Sequence, residues 1–481
     1  MENTQTQIID NEIQIKTIHF IGIGGIGMSG LAQFFKWMGY EVSGSDRAVD
    51  NPENRELFEK LTGQGIKLYL QDGSYMDNQI TDILIYSTAV ENKNPDFLVS
   101  ENLPRWHRAE ALSFLEKQLA EKKSIAITGS CGKTSVTGWI GETLTNLELD
   151  PIVLNGGMIN DFKTEKYSGN FKPGSGNYFV FEADESDKSL VAFRPDYSMI
   201  LNIGTDHYSK DELIEVFEQL LKNTKIGAVI EKQVYDLLKP EFYRHLNVVL
   251  FSGDLTCIDK IWLLKSYSMK NSISRASCVG NKSRFELNLP LPGLHNATNA
   301  LSILALADLL ELDNSHQNIA KSIENFSGVH RRFEYIGKTI SGAKVFDDYA
   351  HNVEKIASAI STAQEMVSGR IFSLFQPHGY GPLSFMRTSL FLALEKILRK
   401  EDKFVFMPVY YAGGTSSFTP KSSVVCEEYE LKSNINGRYL TFESRNTATE
   451  YLLSTPGIND IILIMGARDG SLSIWAKNLQ G

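Results

Sequence analysis

The stretch "SIAITGSCGKTSVTGWI" constrains this chain more than any other. A short apolar run from Ser124 enters Gly129-Ser130-Cys131-Gly132-Lys133-Thr134-Ser135, and a helix-like run follows at once. A continuous apolar run of this kind is a strand buried on both faces, which belongs in a parallel sheet covered by helices. A loop that ends in Gly-Lys-Thr and opens a helix delivers backbone donors, an ammonium and a metal-ligating hydroxyl to one polyphosphate. ATP binding is therefore expected here, the bland alternative being a turn that only packs helix on strand. The loop is shorter between its glycines than the common G-x-x-x-x-G-K-[ST] form, and Cys131 stands at its tip.

The same strand, glycine turn and helix pattern occurs earlier, in "TIHFIGIGGIGMSGLAQFFKWMGYEVSGSD". Gly22, Gly24, Gly25 and Gly27 allow a tight turn and a close backbone approach to a diphosphate at a helix N-terminus. Asp46 closes the next strand, where such folds place a ribose-binding carboxylate. The motif alone fits NAD and other diphosphate ligands equally. A third group of strands begins near Tyr335, with "AKVFDDYAH", "RIFSLFQPH", "KFVFMPVYYAGG" and "DIILIMGARDG". Between the loop helix and "YFVFEAD", the glycine-rich run from Asn155 to Asn177 is expected to be a long surface connection. Val248–Leu291 is expected to be a small antiparallel addition.

A chain of 481 residues is too long for one core, and three domains are expected from a prior of roughly 100–200 residues each. A formal charge of −10 disfavours a nucleic-acid partner. No apolar run is long enough to span a bilayer, so no membrane insertion is expected. Residues 1–14 are polar and acidic and are expected to form a flexible arm rather than a secretory signal. Cys131, Cys257, Cys278 and Cys426 are widely spaced, which argues against a zinc site or disulfide framework and fits a cytoplasmic protein.

"FVFEADESD" supplies a carboxylate for the metal of the phosphate loop at Glu182, followed by Asp184, Glu185 and Asp187. At least two of these four acids are expected to be merely solvated. "NIGTDHYSKDEL" places Asp206 and His207 just past a neighbouring strand, where His207 is suited to orient or coordinate a metal.

Taken in order, the phosphate loop, "EADESD", "NIGTDH", "PGLHNATNA", "GVHRRFE" and "DDYAH" resemble the Mur ligases, ATP-dependent amide-bond-forming enzymes of peptidoglycan assembly. "IHFIGIGGIGMSGLA", "VSGSD", "STAV", "RAEAL" and "QPH" extend the resemblance over nearly the whole chain after the arm. It implies an α/β protein of three domains. A Rossmann-like N-terminal domain at 15–115 would bind a UDP-sugar, a central P-loop ATPase domain with a mixed sheet would span 116–334, and a C-terminal Rossmann-like domain would cover 335–481. Through the resemblance, Gly22, Gly24, Gly25, Gly27, Asp46, Ser87 and Thr88 are expected to meet a UDP-N-acetylmuramate-type nucleotide sugar. Gly129, Ser130, Gly132, Lys133, Thr134, Ser135, His295, Asn296, Asn299, Arg332 and Asp348 would hold ATP. Thr134, Glu182 and His207 would hold Mg²⁺, and Lys133, His207, Arg332 and His351 would act in catalysis. Tyr349, His351, His378 and Arg387 would meet the acceptor, a small amino acid with L-alanine favoured, or a peptide.

The acceptor end departs from the family pattern. Gly379 and Pro382 stand where arginines are expected after "QPH", Asn352 and Val353 replace a histidine and a proline, and "GARDGS" replaces a more glycine-rich turn. The ATP half keeps the pattern. A ligase that attaches a preformed peptide to the same nucleotide sugar, and a non-catalytic nucleotide-sugar-binding homologue, are the alternatives.

Overall fold

Each apolar run forms a strand in a computed structural model of the chain, and glycine turns join strands to covering helices. The structure describes residues 8–9, 12–13, 15–51, 54–77, 80–185, 189–204, 209–270, 273–280, 283–312, 315–411 and 417–481. Most of the arm falls outside this range; within it, Ile8–Ile9 pairs antiparallel with Glu12–Ile13.

The first sheet has five strands in the order Lys67–Leu70, Glu41–Asp46, Thr17–Ile21, Ile83–Tyr86, Arg105–His107. All are parallel. The strand order turns back on either side of Thr17–Ile21, and doubly wound sheets receive ligands at such a switch point, beyond the strands' C-terminal ends. The second sheet has ten strands, with the phosphate-loop strand Lys123–Thr128 between Tyr178–Glu182 and Tyr197–Ile200. It is mixed, because Phe171–Lys172 runs antiparallel to Ile152–Leu154 while the central strands run parallel. Three successive strands from Trp262 to Leu289 extend one edge. The third sheet has six strands and places Ile461–Gly466 between Lys344–Asp348 and Ile371–Gln376, all parallel.

These three sheets make a three-domain α/β architecture. By contact density the chain forms two units, one comprising Met1–Tyr267, Arg275–Pro290 and Leu294–Val329, the other Ser268–Ser274, Leu291–Gly293 and His330–Gly481. The first unit holds both of the first two sheets, because the helix Ile26–Trp37 is shared between them. Phe34 packs against Phe171 and Phe179 at ring distances of 4.9 and 5.4 Å, and a Cβ on Gly30 would lie 3.0 Å from Leu154.

The glycine-rich run from Asn155 to Asn177 is not the surface connection its composition suggests. Asn155, Ser168, Asn170 and Phe171 are buried. The Asn170 amide donates to the Ile26 carbonyl at 2.6 Å and accepts from Gln33 at 2.9 Å, so this segment satisfies polar groups of the first sheet's helix. Its glycines permit backbone contact: a Cβ on Gly176 would sit 1.8 Å from the Leu149 carbonyl oxygen.

The phosphate-loop helix Lys133–Asn146 is buried along most of its length. Trp139 is fully enclosed, donating to the Ile323 carbonyl at 2.8 Å and stacking on Phe326. One turn further, the buried Glu142 accepts from the Ser327 backbone at 2.8 Å and from the Ser327 hydroxyl. Burial pushes the Glu142 carboxyl up from 4.5 to about 7 against these hydrogen bonds, with Asp161 adding repulsion. A carboxyl raised in this way binds protons more tightly folded than unfolded, so its contribution to stability falls as pH rises from 4.5 to about 7. Glu142→Gln is expected to remove that loss. Thermal unfolding of both proteins should show the melting temperature of the variant, relative to the parent, climbing across that window; a difference independent of pH would refute it.

Candidate functional site

The phosphate loop has the backbone that its glycines anticipate. Gly129 and Gly132 lie at φ +137° and +86°, in the region where only glycine is inexpensive, and Gly132 precedes the first helical residue. A Cβ on Gly129 would lie 3.1 Å from the Asn202 backbone nitrogen, and one on Gly132 would lie 3.1 Å from Asn299 Oδ1. Asn299 therefore stands against the loop, with the buried Asn296 beside it on the same helix and bonded to it at 3.3 Å. His295 is exposed near the start of that helix.

Asn202, which the sequence reading did not single out, clasps the loop tip. Its Oδ1 accepts from the Cys131 N–H at 2.9 Å, and its Nδ2 donates to the Cys131 carbonyl at 2.9 Å. The Ser130 hydroxyl accepts from Gly204 N at 2.8 Å. Both contacts follow from parallel register, since Ile200 pairs with Thr128 and the two strand ends advance together. Asn202 grips the main chain at Cys131, and the thiol is exposed.

Lys133 lies folded under the loop. Its ammonium donates to the Gly129 carbonyl at 2.9 Å and pairs with Glu185 at 2.6 Å and Asp184 at 3.7 Å. Burial acts to lower the Lys133 pKa, but the charges of Glu185, Asp184 and Glu182 outweigh it and hold the ammonium protonated, above its ordinary value. Glu185 is itself buried, which pushes its carboxyl up against the pull of Lys133. Asp184 also pairs with Arg108 at 2.7 Å. The expectation that at least two of the four acids are merely solvated is thus corrected for the three described: Glu182, Asp184 and Glu185 all have fixed partners. Asp187, Asp206 and His207 lie outside the described residues.

Glu182 ends its strand between two elements. Oε1 accepts from the Thr134 hydroxyl at 3.2 Å, and Oε2 accepts from Gly156 N at 2.9 Å. Two of the expected metal-binding residues are therefore in contact. Among the described residues, no group of three or more His, Cys, Asp or Glu side chains forms a ready metal cluster. Thr134 and Glu182 offer two hard oxygen donors, the type Mg²⁺ takes when phosphates and water complete its shell.

In the first sheet Gly22 has φ +76°, as a tight turn requires. Asp46 differs from expectation in detail, because its carboxylate is engaged within the protein: Oδ2 accepts from Gly24 N at 2.8 Å and Oδ1 from Ala48 N at 2.9 Å. A Cβ on Gly24 would collide with both Asp46 and Phe58. Gly25 caps the helix, and Ser87 and Thr88 follow the strand Ile83–Tyr86, partly to fully exposed. Gly27 lines a cavity shared with Arg108, Asn155, Gly156, Glu182 and Asp184, so the first glycine loop and the phosphate-loop carboxylates face one space.

In the second unit Arg331, not Arg332, is the structural arginine. At φ +58° it is buried, with Nε 3.2 Å from both Asp347 oxygens and its other nitrogens donating to the Asp469 and Gly466 carbonyls. The Arg332 guanidinium lies over the Tyr349 ring at 5.4 Å. Asp348 accepts from Phe333 N at 2.6 Å and Ala350 N at 2.7 Å, and burial pushes its carboxyl up to about 6 despite the charge of Arg332.

His351 Nδ1–H donates to the Tyr349 carbonyl at 2.8 Å, which leaves the Nε2 lone pair as the acceptor. Burial, helped by Lys355, depresses its pKa to about 4, so the ring is neutral at pH 7. His378 stands perpendicular to it with ring centres 5.3 Å apart, and is also depressed by burial and by Arg468. Arg387 pairs with Glu428, and its carbonyl accepts from the Tyr429 hydroxyl; no contact with the two histidines is formed.

The Mur ligase family, catalytic domain model matches residues 17–118, the Mur ligase middle domain residues 127–307, and the Mur ligase, glutamate ligase domain residues 331–468. The chain is 30% identical to a UDP-N-acetylmuramate–L-alanine ligase of Agrobacterium fabrum, covering 97% of this chain and 96% of that one. It is 32% identical to the enzyme of the same name from Clostridium botulinum over 94% of this chain and 95% of that one. The crystal structure of a UDP-N-acetylmuramate-alanine ligase from Thermotoga maritima superposes with a TM-score of 0.76 at 28% identity, covering 97% of this chain and 98% of that one. A murein peptide ligase from Psychrobacter arcticus shares the fold, with a TM-score of 0.67 at 19% identity and coverage of 96% and 98%.

Gly156 is the site glycine that sequence reading missed. A Cβ there would lie 2.5 Å from Glu182 Oε2 and would displace the carboxylate from Thr134. Gly156→Ala is expected to weaken Mg²⁺-ATP binding about tenfold or more, the scale of one lost charged contact. Titration calorimetry with a non-hydrolysable ATP analogue reads this directly, and an unchanged affinity would contradict it.

Proposed function

The chain belongs to the Mur ligase family, and we propose from this premise that it joins an amino acid, L-alanine favoured, to the carboxylate of UDP-N-acetylmuramate at the expense of ATP. The observation that carries the reading is the shared cavity: Gly27 of the first glycine loop and Glu182 of the phosphate-loop site line the same space, together with Arg108 and Asp184. A nucleotide sugar bound at the first loop and ATP at the second would bring an acid and a γ-phosphate together there.

A carboxylate is a poor acyl donor, so the reaction begins by transfer of the γ-phosphoryl group to it, with ADP leaving. Lys133, kept protonated by its carboxylates, offers a fixed positive charge to the phosphoryl oxygens. Mg²⁺ would be held by Thr134 and Glu182, with His207 at a second position, and would neutralise charge on the transferring group. The amine of the acceptor then attacks the acyl carbon, and phosphate leaves as the amide forms. His351, neutral and with Nε2 open to accept, is suited to take the proton the ammonium must lose. His295, Asn296, Asn299, Arg332 and Asp348 are assigned to ATP, and Tyr349, His351 and His378 to the acceptor. The domain limits 15–115, 116–334 and 335–481 and a cytoplasmic setting belong to the same proposal.

Purified protein with ATP, Mg²⁺ and UDP-N-acetylmuramate is expected to release phosphate when L-alanine is added. Release with a preformed peptide but with no single amino acid would change the acceptor, and release with neither would reject the ligase reading. Lys133→Ala is expected to abolish release, whereas Cys131→Ala should leave it nearly unchanged because Asn202 holds the main chain at that position.

A further inference from the structure

The C-terminal edge of the third sheet carries a cation that no role above uses. Gly466 pairs with Gln376, so parallel register carries Arg468 forward beside His378, whose ring stands against that of His351 at 5.3 Å. Arg468 is exposed, and its guanidinium has no ion pair or hydrogen bond to any described residue. Other arginines of this unit are committed: Arg331 to Asp347, Arg387 to Glu428 and Arg445 to Asp469.

The backbone adds a second observation. Arg468 sits at φ +65°, a conformation that glycine adopts at little cost and arginine does not. The turn is held there by its neighbour. Buried Asp469 pairs with Arg445 at 2.5 Å, accepts from Ser471 N at 3.0 Å, and receives the Arg331 guanidinium on its carbonyl at 3.0 Å. A strained arginine, rigidly based and with its charged end unspent beside the neutral His378 ring, fits a ligand-facing role.

Resting on the ligase reading, we propose that Arg468 is the residue that selects a free amino acid as acceptor, by gripping its α-carboxylate while the amine lies toward His351. A neutral imidazole offers that carboxylate at most one uncharged N–H donor, whereas a guanidinium matches it with two parallel charged hydrogen bonds. The same positive charge also depresses His378, which places it within electrostatic reach of the ring.

The test compares wild type, Arg468→Gly and Arg468→Lys in phosphate release, with L-alanine and L-alaninamide as acceptors. Glycine suits the φ of this site, so Arg468→Gly is expected to melt no lower than wild type. Its KM for L-alanine should rise about ten- to a hundredfold, the scale of a charged hydrogen-bonded contact, with KM for ATP and the nucleotide sugar unchanged. The wild-type preference for L-alanine over its amide should collapse in Arg468→Gly and be partly kept in Arg468→Lys. An unchanged KM for L-alanine in a folded Arg468→Gly overturns the proposal while leaving the ligase reading intact. Wild-type release with peptides alone also overturns it, and absence of wild-type release with every acceptor rejects the ligase reading on which it rests.

Discussion

Parallel pairing of buried apolar strands is the constraint from which the rest of this molecule follows. A parallel strand must be followed by a crossover, so each strand-to-helix turn lies beyond a C-terminal strand end, and helix N-termini collect on that side. The loop Gly129–Gly132 and the turns after Ile21, Glu182 and Ile200 are products of this geometry in the first unit. In the second unit the same rule gathers Asp348, His378 and Arg468 at neighbouring strand ends. Residues distant in sequence become neighbours because their strands advance in register.

Charge is settled at these edges before any ligand is considered. Lys133 is a buried ammonium that would be costly alone, and Glu185 and Asp184 compensate it. The cluster reads in sequence as a run of mutually repelling acids, yet each described member answers a cation or a backbone donor. Asp46 does the same for Gly24 and Ala48, and Asp348 for Phe333 and Ala350. Each of these carboxylates accepts from two backbone donors, which fixes the adjoining turn in one shape.

The strands and both glycine loops were legible in the sequence, because each rests on a contiguous motif whose periodicity and turn chemistry are local; the association of Thr134 with Glu182 came through the family resemblance. What escaped was set by packing between distant segments. Nothing local distinguishes Asn170 or Gly156 from loop residues; their meaning comes from Ile26 and Gln33 in one case and Glu182 in the other. Asn202 was within reach, since it follows a strand adjacent to the phosphate-loop strand, and register alone would have carried it to Ser130 and Cys131. Arg387 shows the converse: it is the next arginine after "QPH", but a helix turns its guanidinium to Glu428.

The phosphate loop and the C-terminal edge of the third sheet differ in how tightly they constrain their residues. Polyphosphate recognition uses main-chain donors, left-handed glycines and the hydroxyl of Thr134 against Glu182, so few substitutions leave Gly129–Thr134 able to form it. The edge of the third sheet sets no such backbone condition, and side chains at several neighbouring strand ends can supply a charge or a neutral imidazole there. Gly379 lies at φ +155° where the chain enters the helix Tyr380–Ile397, while Arg468 occupies a left-handed turn on the adjoining strand. A guanidinium can therefore be absent from one strand end and present at its neighbour without altering the sheet.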